Sequence, residues 1–245
     1  MLRVEGICKT FDRFQALGGA DLHVGAGKIV AVIGPNGAGK STMFKVITGH
    51  LKPDAGRILF LGEPISSLSP HEVCRKGISM AFQIVNIFPR MSVFENVQAA
   101  VLSHRGQASN IFSSAAKMAV RETMEILESV RLEKRAASIA GTLSYGDQKV
   151  LEIAIALSTE PKLLILDEPT AGMSSEEAAV CTGLIRKLTA EHGLTVLFCE
   201  HNIELVLSLS DEIMVLQAGR TLIQDSPEAV QQSPAVREAY LGGAA

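Results

Sequence analysis

The feature that most constrains this chain is a glycine-rich loop that joins an apolar run to a helical pattern. The loop is Gly34-Pro35-Asn36-Gly37-Ala38-Gly39-Lys40-Ser41-Thr42, which fits the spacing GxxxxGK[ST]. The apolar run 28–33 before it predicts a buried strand, and residues 43–47 after it predict the start of a helix. Strand, glycine loop and helix are the context in which this spacing forms a phosphate-binding loop. The sequence therefore predicts a binding site for a nucleoside triphosphate.

The residue types of this loop explain how it would hold phosphate. Glycines let successive N–H groups converge on an anion that no Cβ obstructs, and the helix that follows adds partial positive charge. Lys40 is expected to reach the β- and γ-phosphates, and the Ser41 hydroxyl to bind the bridging Mg²⁺. We expect nucleotide contacts along the whole loop, that is, from Gly34, Pro35, Asn36, Gly37, Ala38, Gly39, Lys40, Ser41 and Thr42.

Composition argues against several other classes of protein. A net charge of −3 with six histidines gives no basic field, so nucleic acid is not an expected partner. No apolar run reaches about 18 residues, and residues 1–6 lack the apolar core of a signal peptide. The four cysteines are scattered without a CxxC pair, which indicates reduced packing residues rather than a metal site or disulfides. We expect a cytoplasmic protein.

Two later apolar runs end in polar residues with catalytic potential. Residues 163–166 lead into Asp167 and Glu168, and residues 194–199 lead into Glu200 and His201. In a parallel sheet these residues would share one edge with the phosphate loop. Asp167 then suits a second Mg²⁺ contact, and Glu168 is placed to orient and deprotonate a water that faces the γ-phosphate. For His201 we favour a γ-phosphate contact over a structural role.

The rest of the chain indicates an α/β protein with an inserted helical part. Phe11, in the predicted loop 9–14, is a candidate for stacking on adenine; the alternative is an aromatic side chain that covers a sheet edge. Helical periodicity runs from about 84 to 160, so we interpret 84–160 as a helical subdomain inserted into a core of residues 1–83 and 161–245. Other strands are predicted at 2–8, 20–24, 57–61, 78–83, 212–216 and 220–224.

Helices are predicted in several places. Ser69 and Pro70 predict the N-terminus of a short helix that ends at Gly77, and short helices are expected between the last strand and Tyr240. Residues 150–157 are apolar nearly all round and predict a buried helix. One apolar face is expected from Ala116, Val120, Met124, Leu127 and Val130, and another from Val180, Cys181, Leu184, Ile185 and Leu188 in a helix 176–188.

In this order, the motifs resemble the nucleotide-binding subunit of an ABC transporter. They are the loop 34–42, Gln83, Leu143-Ser144-Tyr145-Gly146-Asp147, the run 163–168 and His201, and the resemblance covers nearly the whole chain. It implies a P-loop NTPase core with a mainly parallel sheet, an N-terminal antiparallel β-subdomain and the inserted α-helical subdomain. It also implies hydrolysis of Mg-ATP in a head-to-tail pair, in which Ser144 and Gly146 of one subunit cap the ATP held by the other.

The resemblance also assigns roles to single residues. Phe11 matches the adenine-stacking aromatic residue, and Gln83 matches the residue that contacts Mg²⁺ and the attacking water and relays to the membrane subunit. Glu168 matches the general base and His201 the switch histidine. Departures from the family pattern are Tyr145 for Gly, Asp147 for Gln, Ser174 where many members carry Asp, and Ile155 where Arg is frequent.

Within this family, the chain is most similar to importers of branched-chain amino acids and related amides such as urea. The similarity lies in the signature variant, in residues 171–174 and 200–204, and in the tail 240–243. It implies transmembrane permease partners docked through about 84–105, a second nucleotide-binding subunit that is identical or paralogous, and a periplasmic substrate-binding protein as an indirect partner. The expected location is the cytoplasmic face of the inner membrane.

The sequence is also compatible with other classes of function. Within transporters, the alternative is an ATPase for export of lipid or lipopolysaccharide. A P-loop kinase for a small molecule would have no use for residues 143–147, and ATP hydrolysis without a phosphorylated acceptor would separate it from an ATPase. Non-transport ABC ATPases usually carry a long coiled-coil insertion or two fused nucleotide domains, and this chain has room for neither.

Overall fold

The structure, a computed structural model, describes residues 1–81, 86–106 and 118–241. Its strands are β1 (Leu2–Phe11), β2 (Phe14–Val24), β3 (Ile29–Ile33), β4 (Ala55–Phe60), β5 (Glu63–Pro64), β6 (Ile78–Ala81), β7 (Leu163–Asp167), β8 (Thr195–Cys199), β9 (Glu212–Gln217) and β10 (Arg220–Asp225). Its α-helices are α1 (Lys40–Ile47), α2 (Pro70–Lys76), α3 (Val93–His104), α4 (Val120–Ser129), α5 (Tyr145–Leu157), α6 (Ser175–His192), α7 (Ile203–Leu209), α8 (Pro227–Gln232) and α9 (Pro234–Leu241).

The larger sheet is mainly parallel and places the predicted site residues at one edge. Its strand order is β10-β9-β3-β8-β7-β6, and only β10 runs antiparallel to its neighbour. All residues of β3, β7 and β8 are buried, as the continuous apolar runs predict. Because parallel strands end on the same side, Asp167 at the end of β7 lies at the same edge as Gly34 and Glu200, which follow β3 and β8.

The smaller sheet is antiparallel, in the order β2-β1-β4-β5, as the resemblance implied. The predicted loop 9–14 is wrong, because β1 continues to Phe11 and pairs it with Phe14 across a tight turn. Asp12 occupies the left-handed region in this turn, at φ 50°. The polar residues near the turn concealed the strands, since no side chain of residues 8–11, 14 or 15 is buried and the apolar alternation is lost there.

The helix termini follow local sequence signals. Ser69, Ser92 and Ser174 each accept a hydrogen bond from the N–H of a glutamate three residues later, whose carboxylate accepts from the serine N–H in return. The predicted helix from Ser69 to Gly77 is confirmed, as is the hairpin β9–β10. Helix α7 was not predicted, although Asn202 caps it by accepting from Leu205 N–H at 3.1 Å.

Between β6 and β7, the described residues form helices and no strand, and α5 is largely buried as predicted. The predicted apolar face is only partly right, because Val120 is 41% exposed in the first turn of α4, in an open groove beside Arg105. Ala116 lies outside the described residues. Val180 is also exposed, because the buried stripe of α6 is centred on Cys181, Leu184, Ile185 and Leu188. The boundaries of the subdomain 84–160 stay a prediction.

The larger sheet separates two apolar cores. Along β3, the side chains of Ile29, Ala31 and Ile33 pack with those of the helical part and α6, whereas Val30 and Val32 pack with α1 and the smaller sheet. The edge of the sheet that carries the site residues therefore lies on a scaffold packed on both faces. In the part of the chain that the structure describes, no helix is long and apolar enough to span a bilayer.

Candidate nucleotide site

The phosphate loop leaves β3 and enters α1, whose N-terminus no side chain caps. Gly37 and Gly39 occupy the left-handed region, at φ 79° and 104°, which glycine adopts without strain. A Cβ at Gly34 would collide with the carbonyl oxygen of Leu216, and one at Gly39 would lie 2.5 Å from that of Ala16. The backbone therefore requires glycine at these three positions.

Backbone from two distant parts of the chain supports this loop from behind. Gly219, in the turn between β9 and β10, donates its N–H to the carbonyl of Ala38 at 3.0 Å. Its own carbonyl accepts from Gly18 N–H at 2.8 Å. A Cβ at Gly219 would approach Ala16 O to 2.7 Å, so this turn admits no larger residue without a shift. The loop conformation thus depends on β2 and on the β9–β10 turn.

Lys40 and Ser41 present the charge and the hydroxyl that a triphosphate requires. The Lys40 ammonium donates to the carbonyls of Gly34 at 2.7 Å and of Pro35 at 3.2 Å, so it lies across the loop. Ser41 is exposed one position further into α1. A cation over a left-handed glycine loop at an uncapped helix N-terminus fits phosphate oxygens.

Asp167 ends β7, which β8 separates from β3 in the larger sheet, and it is 7% exposed. The Cys199 thiol donates to its Oδ1 at 2.8 Å. Burial, followed by the charge of Asp167, raises the pKa of Cys199 well above its usual range, so it stays a protonated donor. The sequence indicated only a packing role for Cys199 and did not predict this contact. A carboxylate and a hydroxyl at one sheet edge are hard oxygen ligands of the kind that Mg²⁺ takes.

Glu168 and His201 form a pair at the same edge. The Nε2 of His201 lies 3.0 Å from Oε1 of Glu168. The Glu168 side chain is 18% exposed and that of His201 is 53% exposed, so water and phosphate have access to the histidine face. The predicted candidates from β7 and β8 are therefore brought together. Gln83, the predicted third Mg²⁺ contact, lies outside the described residues.

Phe11 is 41% exposed at the end of β1, with the Lys9 ammonium 5.8 Å from its ring centroid. Its cross-strand partner Phe14 is 62% exposed. The two rings therefore stand on a hairpin rather than on the irregular loop that the sequence suggested. Both present an apolar surface on which a flat base could stack.

The segment 143–147 starts helix α5. Ser144 is its N-cap and accepts from Asp147 N–H at 3.2 Å, and the Asp147 carboxylate pairs with Arg135 at 2.8 Å. A Cβ at Gly146 would meet Oε1 of Glu177 at 2.8 Å, so this glycine is required by packing. Hydrogen bonds from the Ser174 N–H and hydroxyl lower the pKa of Glu177, and Ser144 and Gly146 contribute in the same direction.

These contacts tie the segment 143–147 to the N-terminus of α6. Among the described residues, no hydrogen bond or ion pair joins it to the phosphate loop of its own chain. Glu177, which sequence analysis did not single out, is detectable from the pattern Ser174-x-x-Glu177, the signature of a capping box.

Comparisons with known proteins match this architecture over its full length. A family model described as ABC transporter matches residues 17–171, and one described as branched-chain amino acid ATP-binding cassette transporter matches residues 224–245. BraF of Pseudomonas aeruginosa, a high-affinity branched-chain amino acid transport ATP-binding protein, is 41% identical, with 100% of this chain and 98% of BraF covered.

Two solved structures have the same fold as this chain. MJ1267 in its ADP conformation, an ATP-binding cassette of an ABC transporter, is 34% identical, with a TM-score of 0.86 over 99% of this chain and 98% of that one. MJ0796, an ATP-binding cassette solved as a dimer in a post-hydrolysis state with ADP and Pi, is 26% identical, with a TM-score of 0.78 over 93% and 99%. The P-loop NTPase fold expected from the sequence is confirmed, and the chain belongs to the ABC transporter family as an ATP-binding subunit that hydrolyses ATP.

Proposed function

We propose that this ATPase drives the import of branched-chain amino acids, or of related amides such as urea, through partner membrane subunits. The observation that carries the ATP-driven part is the contact of 3.0 Å between Glu168 and His201 at the edge that also holds Lys40 and Asp167. The substrate class is supported by the similarity to BraF and by the family model matched at 224–245.

Each residue at this edge of the larger sheet has its own role in ATP hydrolysis. Lys40 and the loop amides bind the β- and γ-phosphates and stabilise their charge. Ser41, Asp167 and Gln83 would hold Mg²⁺, which when bound neutralises charge on the phosphate oxygens. Glu168 orients a water molecule and accepts its proton, and His201 contacts the γ-phosphate.

The adenine end of the nucleotide is assigned to Phe11. Its exposed ring lies at the end of β1, and β1 pairs with the segment of β2 around Leu17 and Gly18 that supports the phosphate loop. Stacking on a π-face needs only an exposed, fixed ring, which the hairpin supplies. The neighbouring Phe14 is the alternative ring on the same hairpin and makes a matched comparison in binding experiments.

A second nucleotide-binding subunit, identical or paralogous, completes each site in this proposal. Ser144 and Gly146 lie at the N-terminus of α5, where a hydroxyl and N–H groups can face a γ-phosphate. They contact α6 rather than their own phosphate loop, which supports a head-to-tail pair that encloses two ATP molecules. The dimeric cassette MJ0796 gives a precedent within the fold. Loss of the γ-phosphate would remove the charge that bridges the pair and reopen it.

Docking of the permease is assigned to about 84–105. A cleft of about 360 Å³ opens between α2 and β6 on one side and α3 and α5 on the other. Its lining combines the apolar Ala100 and Ile155 with His71 and His104, an amphipathic surface suited to a short helix. Phe88 is 60% exposed nearby. The subunit would work at the cytoplasmic face of the inner membrane, and a periplasmic substrate-binding protein would contact it only through the permease.

The test is purification of the chain with its neighbouring membrane subunits, followed by ATPase measurements in proteoliposomes. We expect hydrolysis to rise when a substrate-binding protein delivers leucine, isoleucine or valine, or else urea, and to leave no phosphorylated acceptor. An Ala100→Glu variant, which places a charge in the cleft, should retain nucleotide binding but fail to recover the membrane subunits. Stimulation by lipid or lipopolysaccharide, or transfer of phosphate to a small molecule, would contradict the proposal.

A further inference from the structure

Glu200 is a buried carboxylate at the strand end that precedes His201, and no specific role was predicted for it from the sequence. It follows the last residue of β8 and is 5% exposed. Oε1 accepts from the Thr170 N–H at 2.8 Å and from the Thr170 hydroxyl at 2.6 Å, and Oε2 accepts from the His201 N–H at 3.1 Å. Both oxygens are therefore engaged, which is what a buried charge requires.

These hydrogen bonds reach both sides of the pair formed by Glu168 and His201. Thr170 lies two residues after Glu168, and His201 follows Glu200 directly. The carboxylate therefore joins the turn after β7 to the turn after β8 at the point where the two catalytic candidates meet. The Oε1–Nε2 distance of 3.0 Å between Glu168 and His201 spans the same two turns.

The turn after β7 needs such a restraint. Glu168 has φ 51°, in the left-handed region that non-glycine residues seldom adopt. Its N–H donates to Cys199 O at 3.1 Å, and its carbonyl accepts from Ala171 N–H at 3.2 Å. A strained residue persists only when its surroundings fix it, and the bonds to Thr170 fix the turn from its far side.

We propose that Glu200 is a positioning residue that sets the orientation of Glu168 and His201 relative to each other. This rests on the function proposed above, in which Glu168 accepts the proton of water and His201 contacts the γ-phosphate. A carboxylate is required because one of its oxygens accepts from Thr170 and the other from the His201 N–H. A glutamine has one acceptor oxygen, so its NH₂ group would face either the Thr170 donors or the His201 N–H.

The test compares variants of the full chain in steady-state ATP hydrolysis and nucleotide binding. Glu200→Gln should lower kcat by about 10- to 100-fold while the affinity for ATP changes by less than about twofold, because misplacement of reacting groups acts on turnover. Thr170→Val, which removes only the hydroxyl, should lower kcat by up to about tenfold, and Thr170→Ser should stay near the wild type. In a His201→Ala background, Glu200→Gln should cost less than in the wild type, because its action passes through His201.

A second readout does not depend on hydrolysis. The ¹³C and ¹⁵N chemical shifts of the His201 ring report its contact with Glu168, and Glu200→Gln should move them while thermal unfolding stays cooperative. Unchanged ring shifts or a wild-type kcat in Glu200→Gln would overturn the proposal. So would a double variant whose reduction in kcat equals the product of the reductions in Glu200→Gln and His201→Ala. If Glu200→Gln does not fold, equal kcat values in Thr170→Val and Thr170→Ser would overturn it instead. Absence of hydrolysis in the wild type would contradict the proposed function, and the ring shifts would still decide the role of Glu200.

Discussion

The edge of the Tyr145 ring lies against the side of Gly172 from which a side chain would project. A Cβ built on Gly172 would be 3.1 Å from Tyr145 Cε1, and Gly172 itself has φ 78°. Tyr145 stands where the family signature carries a glycine, and Gly172 lies in the segment after β7 that also departs from the family pattern. The departure at Tyr145 therefore packs on the segment that carries the departure at Ser174, at a residue without a side chain.

This contact predicts opposite effects for two glycine-to-alanine changes. Gly172→Ala should lower the free energy of unfolding by about 1–2 kcal/mol, because its φ is unfavourable for alanine and Tyr145 must move. Gly183→Ala is the matched control: Gly183 lies inside α6 with no atom within 4 Å of the new Cβ. It should raise the stability by about 0.5–1 kcal/mol. Urea unfolding measures both, and equal effects would contradict the packing described.

The second prediction concerns the proposed general base. Glu168→Gln keeps the size of the side chain but cannot accept a proton, so we expect turnover to fall by at least about 100-fold while ATP still binds. Glu204→Gln, an exposed acid in the first turn of α7, is the control and should hydrolyse ATP at the wild-type rate. Wild-type turnover in Glu168→Gln would remove Glu168 from this role.

Acid sensitivity is predicted at the capping boxes. The Ser92 N–H, and then the Ser92 hydroxyl, hold the pKa of Glu95 below its ordinary value of 4.5. Because this pKa is lower in the folded than in the unfolded state, its contribution to stability is present above pH 4.5 and is lost as the pH falls through the folded value. Unfolding midpoints in urea at pH 7 and pH 3.5 should therefore differ less in Glu95→Gln than in the wild type. An equal difference in both proteins would contradict the prediction.

Thiol reactivity should divide the four cysteines into two pairs. Burial raises the pKa of Cys181 to about 12, and it is also the main cause that raises the pKa of Cys199. Cys8 and Cys74, in contrast, are only half-buried. At pH 8, iodoacetamide should therefore label Cys8 and Cys74 in the folded protein and spare the other two. Labelling of all four in urea, followed by mass spectrometry, is the control. Rapid labelling of Cys199 in the folded chain would show that its bond to Asp167 opens readily.

The sequence predicted best what depends on local pattern. The strands β3, β7 and β8 are continuous apolar runs, and parallel strands of this kind bring Gly34, Asp167 and His201 to one edge. The helix from Ser69 was predictable because its capping residues are adjacent in sequence. For the same reason the glycine loop could be located before any tertiary contact was known.

What the sequence did not reveal depends on contacts between distant residues. The bonds from Thr170 to Glu200 and from the Cys199 thiol to Asp167 join residues that lie about 30 positions apart in sequence. An acid directly before His201, at the end of a buried strand, is the one local signal that could have pointed to Glu200. The exposure of Val120 and Val180 likewise depends on what packs beside a helix, which its own periodicity does not fix.

The support of the phosphate loop by Gly219 has a consequence for biosynthesis. The loop lies near the start of the chain, yet the backbone that holds it from behind arrives about 180 residues later, with the β9–β10 turn. A nascent chain that has exposed the glycine motif outside the ribosome therefore still lacks the hydrogen bond that shapes it. We expect a partly synthesised cassette to bind nucleotide weakly until residue 219 has emerged, so that the capacity to hydrolyse ATP is acquired only with a nearly finished subunit.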